Sequence, residues 1–546
     1  MPHRLLVTIF LGLMAALCLT TAAFATPITV LPDITAWATT ASDGPQAIHA
    51  SPVSAAAPYQ ALHAWADRPV VQCDVPSNNY ATIQMAVDDV ACDIVNLTGA
   101  QYLEHDITVQ RSLTLQGQGM LRTTLDADGM GGAFIIDNPH GPVVIKDLTM
   151  TGASQTALIY SGEPTGEPNS LLLKSVRFKN NTANGQPGAL RSESYPLHIQ
   201  NSQFINNKGA YGGAMLVRKT VNIEGSLFQG NTATEAGGAI DGILGTVLIK
   251  TSAFLNNTSK GVGGALWNVQ GIFTIEQSVF RGNRARAGGA IATSGELTIR
   301  NSTLVKNSAP MGIGGGIALW VEIGAPGAPP VIDLQDSTLS QNSALACGGI
   351  VHTGILMTIV RSAITDNWAS SSGGGLCLAE QPGGFAETEI ANSTISHNRA
   401  VTGAGIYAFH GGALTANYTT IALNSASMAG GGLYVAQGSL VQLNHSILWG
   451  NGGADCAFDQ SGLTSMGYNI DGDNSCLLTD PTDLPATDPL LGPLQNNGGP
   501  TETHALSVGS PALDAIPSDA CLATDQRGVS RPQGPGCDIG AFELEP

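Results

Sequence analysis

Charged side chains are scarce in this chain, and cations are scarcest. Charged residues make up 12% of the 546 residues, and 23 Lys and Arg stand against 42 Asp and Glu, for a formal net charge of −19. A chain this acidic repels nucleic acid and anionic membranes, so neither is expected as a partner. It also lacks C-x-x-C pairs, and its 11 His are scattered, which argues against a zinc site.

Long apolar runs are absent except at the N-terminus. Arg4 precedes an apolar run from Leu5 to about Leu19, and Ala23-Phe24-Ala25 is a small-x-small cleavage site. We predict a signal peptide over residues 1–25, with an uncleaved membrane anchor as the alternative. No later stretch reaches the ~20 apolar residues of a spanning helix, so no transmembrane segment is expected after cleavage. Residues 26–70, rich in Ala, Pro, Ser and Thr, are predicted to form a flexible leader.

Eight cysteines remain after cleavage, and an even number in an exported chain favours disulfides. Pairing neighbours in sequence predicts three bonds: Cys73–Cys92, Cys456–Cys476 and Cys521–Cys537. Cys347 and Cys377 remain, and their positions relative to the repeat differ by four residues. Along extended strands this offset is about 13 Å, whereas the Cα atoms of a disulfide lie within about 7 Å. Their pairing is therefore left open.

Glycine is abundant, at 67 residues, and much of it belongs to a repeated phrase. The phrase combines S-x-[F/L/I]-x-x-N with a later G-G-[A/I]. Its Asn recurs about every 25 residues at Asn181, Asn207, Asn231, Asn257, Asn283, Asn307, Asn342, Asn367, Asn398, Asn424 and Asn451. Each unit contains short runs of alternating polarity, such as "VNIEGSLF", which favour strands over helices. A unit this small buries its apolar face only by stacking, so we predict an all-β, right-handed parallel β-helix.

The repeated Asn and Gly are interpreted as structural. Each Asn lies where one strand turns into the next, and we expect its amide to bond backbone and the Asn of the neighbouring turns. The paired glycines fit a second bend that needs positive φ or close backbone approach. The alternative is that these residues line a binding groove.

The predicted order is a cap region over 71–99, coils over 100–455 and a C-terminal capping segment over 456–546. A β-helix exposes bare core at its ends and therefore needs caps. The cap region contains a short amphipathic helix, for which Asn78 or Asn79 is the expected N-cap. Its apolar face consists of Ile83, Ala86, Val87 and Val90.

Three stretches carry a resemblance to known families. "YATIQMAVDD" with "SLTLQGQG" resembles the N-terminal cap of secreted β-helix proteins, including the pectate-lyase-like superfamily. The F-x-x-N and G-G-A-[I/L] units resemble the polymorphic outer-membrane-protein repeat. "NNGGPTETHALSVGSPALDA" with "TDQRGVSRPQGPGCDIGAFE" resembles the end of bacterial choice-of-anchor Q proteins. The resemblance implies an exported, secreted or cell-surface bacterial protein without a defined activity.

Catalytic motifs are not evident. Asp88-Asp89 lies on the predicted helix and is interpreted as solvated surface, and "DGDN" at 471–474 lacks the rest of an EF-hand loop. We therefore expect no cofactor, with calcium as the alternative. His504, Asp525 and Arg527 have catalytic side chains, but their terminal position favours hydrogen bonds or ion pairs within the cap.

Two functions follow as hypotheses. The first is a non-enzymatic scaffold, adhesin-like, that binds an extracellular glycan or a surface protein. The second is a polysaccharide lyase or glycoside hydrolase, which requires carboxylates grouped on one face. Long insertions follow several G-G-[I/L] strands and should leave the helix at one corner, a usual binding side of repeat proteins. Aromatic residues in or beside these insertions are the candidate binding face: Tyr160, Trp320, Phe385 and His410.

Overall fold

Short parallel strands stack on one another along the chain, as the repeat predicts. In the computed structural model, about 14 turns form a parallel β-solenoid with almost no helix, which confirms the predicted fold class. The structure describes residues 69–162, 170–193, 196–319, 330–379, 386–460 and 462–545. The predicted signal peptide and nearly all of the predicted leader lie outside these residues.

Each typical turn contributes three main strands and one short strand, which we name by their position in the turn. Face A consists of Gln72–Val75, Ile94–Leu97, Ile107–Gln116, Phe134–Thr151, Leu171–Lys179, Leu197–Gln200, Thr220–Glu224, Thr246–Lys250, Ile272–Glu276, Glu296–Arg300, Val331–Gln335, Leu356–Val360, Glu387–Ala391, Ala413–Asn417, Leu440–Asn444 and Leu463–Ser465. The three longest of these strands continue around a corner into a neighbouring face.

Faces B and C follow face A within each turn. Face B consists of Gln101–Leu103, Thr124–Asp126, Gln203–Ile205, Leu227–Gln229, Ala253–Leu255, Val279–Arg281, Thr303–Val305, Thr338–Ser340, Ala363–Thr365, Thr394–Ser396, Thr420–Ala422, Ile447–Trp449, Ile470–Asp471 and Leu484–Pro485. Face C consists of Leu158–Ser161, Leu190–Ser192, Met215–Val217, Ile240–Ile243, Leu266–Val269, Ile291–Thr293, Ile317–Leu319, Ile350–His352, Leu376–Ala379, Ile406–Phe409, Leu433–Val435 and Cys456–Phe458.

A short fourth ladder, ladder D, lies between faces B and C. It consists of Lys208–Tyr211, Thr232–Ala236, Thr258–Ser259, Ser308–Ile313, Ser343–Ala346, Trp368–Ala369, Arg399–Thr402 and Ser425–Ala429. Isolated bridges through Arg284 join Thr258 to Ser308, so the ladder is continuous there. No helix of the described residues is long and apolar enough to span a membrane.

The strands stack in register, so like residues lie on like residues. On face A, Val221 pairs with Val247 and Ile223 with Ile249, and all four side chains point into the core with at most 1% exposure. On face B, the rings of Phe204, Phe228, Phe254 and Phe280 stack with centroids 4.6 Å apart. The core is therefore a set of columns that run along the solenoid axis.

The repeated Asn residues form the predicted ladder. Asn231 is fully buried, and its backbone N and Nδ2 donate to Asn257 Oδ1 at 3.0 and 2.9 Å. Asn231 Nδ2 also donates to the carbonyl of Phe204 at 2.9 Å. The same bonds recur from Asn181 to Asn451. Each amide is thus satisfied away from water, which confirms the structural interpretation.

The two glycines of a pair serve different purposes, and both agree with the sequence interpretation. Gly237 has φ +60°, a conformation that a side chain rarely adopts. A Cβ on Gly238 would lie 2.0 Å from the carbonyl oxygen of Gly264 in the next turn. The first glycine provides the bend, and the second allows two turns to approach.

The N-terminal helix α1 spans Ile83–Asp88 and buries Ile83, Ala86 and Val87. Two details differ from the expectation. Thr82, and not Asn78 or Asn79, is the N-cap, because its side chain accepts from the backbone N of Met85. Val90 follows the end of the helix and is 79% exposed, so it takes no part in the apolar face.

The C-terminal segment was expected to close the end of the solenoid, but from residue 491 it lies along the side. It contains two antiparallel pairs, Leu491–Gln495 with Thr503–Leu506 and Ile516–Pro517 with Gly536–Cys537, and a 3-10 helix at Ser518–Ala520. Its side-on contacts reach several turns: Thr501 Oγ1 to the Arg361 carbonyl, Asn392 Nδ2 to the Thr524 carbonyl, Thr394 Oγ1 to Gln526 Oε1, and the Ala541 N to Thr420 Oγ1. From residue 491 the segment therefore covers the outward side of face B, whereas residues 456–485 of the predicted cap continue the stacked faces.

All four disulfides form, including the one left open. Cys73–Cys92, Cys456–Cys476 and Cys521–Cys537 confirm the prediction. Cys347 and Cys377 also pair, with Cα atoms 5.4 Å apart. The offset argument failed because Cys347 occupies the first position of the glycine bend, with φ +61°. The chain folds back at this bend. The residues between Cys347 and the strand position that pairs with Cys377 are therefore not extended, and the distance calculated for an extended strand does not apply.

We predict that Asn257→Ala destabilises the protein by roughly 1–3 kcal/mol, because neighbouring turns lose partners for buried donors and acceptors. Chemical denaturation of the two proteins measures the change. Asn256→Gly is the matched control, since Asn256 has φ +55° and is replaced by Gly at Gly230 and Gly282 in the adjacent turns. Equal stability of Asn257→Ala and the parent would contradict the ladder's energetic role.

We also predict that peptide mapping of the non-reduced protein recovers four linked pairs. The informative peptide is the one that joins Cys347 to Cys377. Recovery of either of these cysteines as a free thiol, with the other three pairs intact, would show that the bend does not bring them together in solution.

Candidate functional site

The predicted binding corner is the turn from each face C strand to the next face A strand, here called the C–A corner. Residues 163–169, 320–329 and 380–385 each connect such a pair of strands. The turn that contains His410 does the same between Ile406–Phe409 and Ala413–Asn417. Because the flanking strands stack in register, the ends of all four connections lie along one edge of the solenoid.

The four predicted binding residues differ in their placement. His410 is exposed, at a position with φ +47°. The side chain of Tyr160 is fully buried and points into the core, so it cannot serve as a surface platform, and that part of the prediction is wrong. The reason is alternation: Leu158 points inward, so Tyr160, two residues later, does too. Trp320 and Phe385 lie outside the described residues.

Aromatic residues that the sequence analysis did not select gather on the outside of face C beside His410. The Tyr407 ring lies 5.0 Å from Phe409 and 5.5 Å from Tyr434, centroid to centroid, and Phe409 lies 5.2 Å from His410. Tyr434 donates from its hydroxyl to Asp459 at 2.5 Å. Burial, followed by this hydrogen bond, raises the pKa of Tyr434. The sequence contains a signal for this pair, because Tyr407 and Tyr434 each directly follow the apolar residue of a G-[I/L] dipeptide.

In earlier turns, the same outward column of face C is closed to solvent. Asp241 is 1% exposed there, between Leu216 at 6% and Trp267 at 7%. Among the residues that the structure describes, Asp241 Oδ1 has no hydrogen-bond partner. Burial raises the pKa of Asp241 to about 8, although the Arg218 guanidinium opposes the rise. A carboxyl group in this position is therefore neutral at neutral pH.

Three carboxylates meet at the end of the Asn ladder: Asp455, Asp471 and Asp473, whose closest ligand atoms lie within 4.8 Å of one another. Asp455 Oδ1 accepts from the N and Nδ2 of Asn451 at 3.0 and 2.8 Å, so it ends the ladder. Asp471 Oδ2 accepts from the Cys476 N at 2.8 Å. Burial raises the pKa of Asp471 to about 6. These oxygens accept hydrogen bonds from protein donors, and calcium binding at the DGDN segment stays the alternative to the expected absence of a cofactor.

The polar residues singled out near the C-terminus hold the lateral segment in place. Arg527 Nε lies 2.8 Å from Asp525 Oδ2, and both side chains are nearly or fully buried. His504 Nε2 lies 2.9 Å from Ser396 Oγ on face B, and burial lowers the pKa of His504. This agrees with the expected ion-pair and hydrogen-bond roles, on the side of the solenoid instead of its end.

The fold, the Asn ladder and the buried disulfides define a parallel β-solenoid of repeated units. Residues 225–242 match the family model of the Chlamydia polymorphic membrane protein repeat, which confirms the resemblance seen in the F-x-x-N and G-G-A-[I/L] units. The resemblance to choice-of-anchor Q proteins stays a prediction. None of the curated proteins matches the chain in sequence.

Several solved structures overlap with the chain in part. The catalytic domain of a GH87 α-1,3-glucanase in complex with nigerose is 12% identical and covers 74% of this chain and 69% of its own, with a TM-score of 0.37. Tailspike protein 3 of bacteriophage CBA120 is 11% identical over 69% of this chain and 56% of its own, with a TM-score of 0.38. The PL6 family alginate lyase AlyGC is 8% identical over 68% and 97%, with a TM-score of 0.19. At these values no activity is transferred to this chain.

We predict that Asp241→Asn raises the melting temperature at pH 8 but changes it little at pH 4. The unfolded chain releases this proton near pH 3.9, whereas the folded protein holds it to about pH 8. The free energy of unfolding of the parent therefore falls as pH rises through this window, and Asn removes that loss. Thermal melts at both pH values measure it, with exposed Asp128→Asn as the control. A change in melting temperature that is equal at both pH values would contradict the assignment.

Proposed function

We propose that this protein is a secreted or cell-surface bacterial scaffold that binds a glycan or a protein partner through the C–A corner. The observation that carries the proposal is the placement of the insertions. The strands that flank residues 163–169, 320–329 and 380–385 belong to the same two stacked faces, so these three insertions leave from one edge. Per-repeat insertions gathered on one side of a solenoid commonly form its binding surface.

The rest of the structure is consistent with a rigid scaffold that holds this edge in place. Faces A, B and C are fixed by continuous parallel ladders. The Cys347–Cys377 bond joins the bend before one face C strand to the next face C strand, between two of the insertions in the sequence. Disulfides of this kind are typical of proteins outside the cytoplasm. The outward aromatic residues Tyr407 and Tyr434 adjoin the His410 turn and offer flat apolar surfaces of the type that pack against sugar rings or peptide side chains.

The alternative remains a polysaccharide lyase or glycoside hydrolase. Such an enzyme needs carboxylates that face a substrate groove. In the described residues, Asp455, Asp471 and Asp473 form a group of three carboxylates within 4.8 Å of one another, and Asp455 and Asp471 are buried. Their oxygens accept backbone N–H groups and close the ladder, which favours the binding scaffold.

The test replaces residues 163–169, 320–329 and 380–385 with short Gly-Ser linkers and His410 with Ala. A glycan array and a cell-adhesion assay compare this variant with the parent. We expect an unchanged melting temperature, because the stacked faces are untouched, together with loss of the parent's adhesion. Adhesion that survives the replacement would place the binding face elsewhere, and depolymerisation of an array glycan by the parent would favour the enzyme instead.

A further inference from the structure

Positive charge is segregated in the middle of the solenoid. Between Thr251 and Leu319 the sequence contains two acidic residues, Glu276 and Glu296, and both belong to face A. Faces B and C and ladder D contain none in this region. The cations that lie off face A there form the basic patch, defined as Lys260, Arg281, Arg284, Arg286 and Lys306. In a chain with a net charge of −19, a side of the molecule without acids is unexpected.

The stacking brings these five side chains to one surface. Arg281 ends a strand of face B, and Arg284 and Arg286 follow in the same turn, at the position of ladder D. Arg284 forms a β-bridge with Thr258 in the preceding turn and another with Ser308 in the following turn. Thr258 lies two residues before Lys260, so Lys260 is close to Arg284 in the stack.

Lys306 lies two residues before Ser308, at the bend between face B and ladder D, with φ +57°. Since successive turns are about 4.8 Å apart, the patch spans roughly 10 Å along the axis.

All five cations of the basic patch are exposed, and no ion pair among the described residues involves them. Two cations of face A in or beside the same region are paired: Lys250 with Glu276 at 3.0 Å, and Arg300 with Asp333 at 3.1 Å. On ladder D, the acid nearest to the patch in sequence is Glu235, in the turn before Lys260. The basic patch thus keeps its full charge available for an external anion.

We propose that the basic patch binds a linear polysaccharide that carries sulfate or carboxylate groups. Guanidinium groups hold such oxyanions through paired hydrogen bonds, and three arginines within one turn offer adjacent forks. A thin polymer can follow the patch without meeting the acidic surface around it, whereas a membrane or a DNA duplex is repelled by the net negative charge.

The same surface lacks what a single-stranded nucleic acid requires. Base stacking needs exposed aromatic side chains among the cations. The exposed aromatics of ladder D are Tyr211 at 41% and Trp368 at 50%. By the pairing of the ladder, each lies three turns from the turn that contains Arg284 and Arg286, or about 14 Å. This site is separate from the C–A corner, so it adds a second binding surface to the proposed scaffold.

The experiment uses the full mature chain and three probes: dextran sulfate, unsulfated dextran and polygalacturonate. Binding is measured by calorimetry at low and at high salt. We expect the parent to bind dextran sulfate but not dextran, and we expect its affinity for dextran sulfate to fall as the salt concentration rises. Binding to polygalacturonate as well would show that carboxylates suffice, and its absence would assign the patch to sulfate.

The variant Arg284→Gln/Arg286→Gln removes two positive charges from the patch, and Arg122→Gln/Lys174→Gln removes two exposed ones elsewhere. We expect about tenfold weaker dextran sulfate binding for the first variant and none of this loss for the second. Equal affinity of the patch variant and the parent, or equal loss in both variants, would overturn the proposal. Duplex DNA that displaces dextran sulfate at equal concentration would also overturn it.

The result is distinguishable from the test of the C–A corner. The linker variant of that corner keeps all five cations and should bind dextran sulfate like the parent. If adhesion depends on the corner while the patch variant binds dextran sulfate normally, the inference fails and the proposed function stands.

Discussion

Register between successive turns is the constraint on which the rest of this structure depends. A parallel ladder leaves each turn about 4.8 Å above the previous one, so a residue meets its own counterpart above and below. Residues that tolerate stacking on themselves are therefore repeated: Phe228 on Phe254, Ser226 under Ser252, and Asn231 under Asn257. The Asn column resists slippage most, because a shift by one residue would leave its buried amides without partners.

The same constraint explains what the sequence could predict. The period, the alternation of "VNIEGSLF" and the fixed place of Asn and paired Gly all describe contacts between neighbouring turns, and each turn repeats the information. The fold, the Asn ladder and the role of Gly237 and Gly238 were predictable for this reason. The inward position of Tyr160 was predictable too, since Tyr160 lies two residues after the buried Leu158 and side chains two apart on a strand share a face.

Features that occur once were not predictable by the same route. Pairing of Cys347 with Cys377 depends on the local path of one bend, where a left-handed Cys replaces the usual glycine. The lateral position of the C-terminal segment depends on face B of the late turns, whose outward residues Thr394, Ser396 and Thr420 bond to it. Hydroxyl side chains at outward strand positions look like ordinary solvated surface in a sequence. Their partners lie more than 100 residues away, as the Thr394–Gln526 bond shows with a separation of 132.

A solenoid of this kind separates the requirements of folding from those of function. Inward columns are dictated by the turns above and below, whereas an outward column of ladder D accepts Thr258, Arg284, Ser308 and Ser343 in succession without change in the ladder. The packing does not require arginine at position 284 or 286. A chain with 42 Asp and Glu could also have paired these arginines with acidic residues or buried them. Exposed charges of one sign that lie close together repel one another, and this repulsion lowers the stability of the folded protein. The packing does not require this arrangement, and this is the reason that we propose a binding role for it.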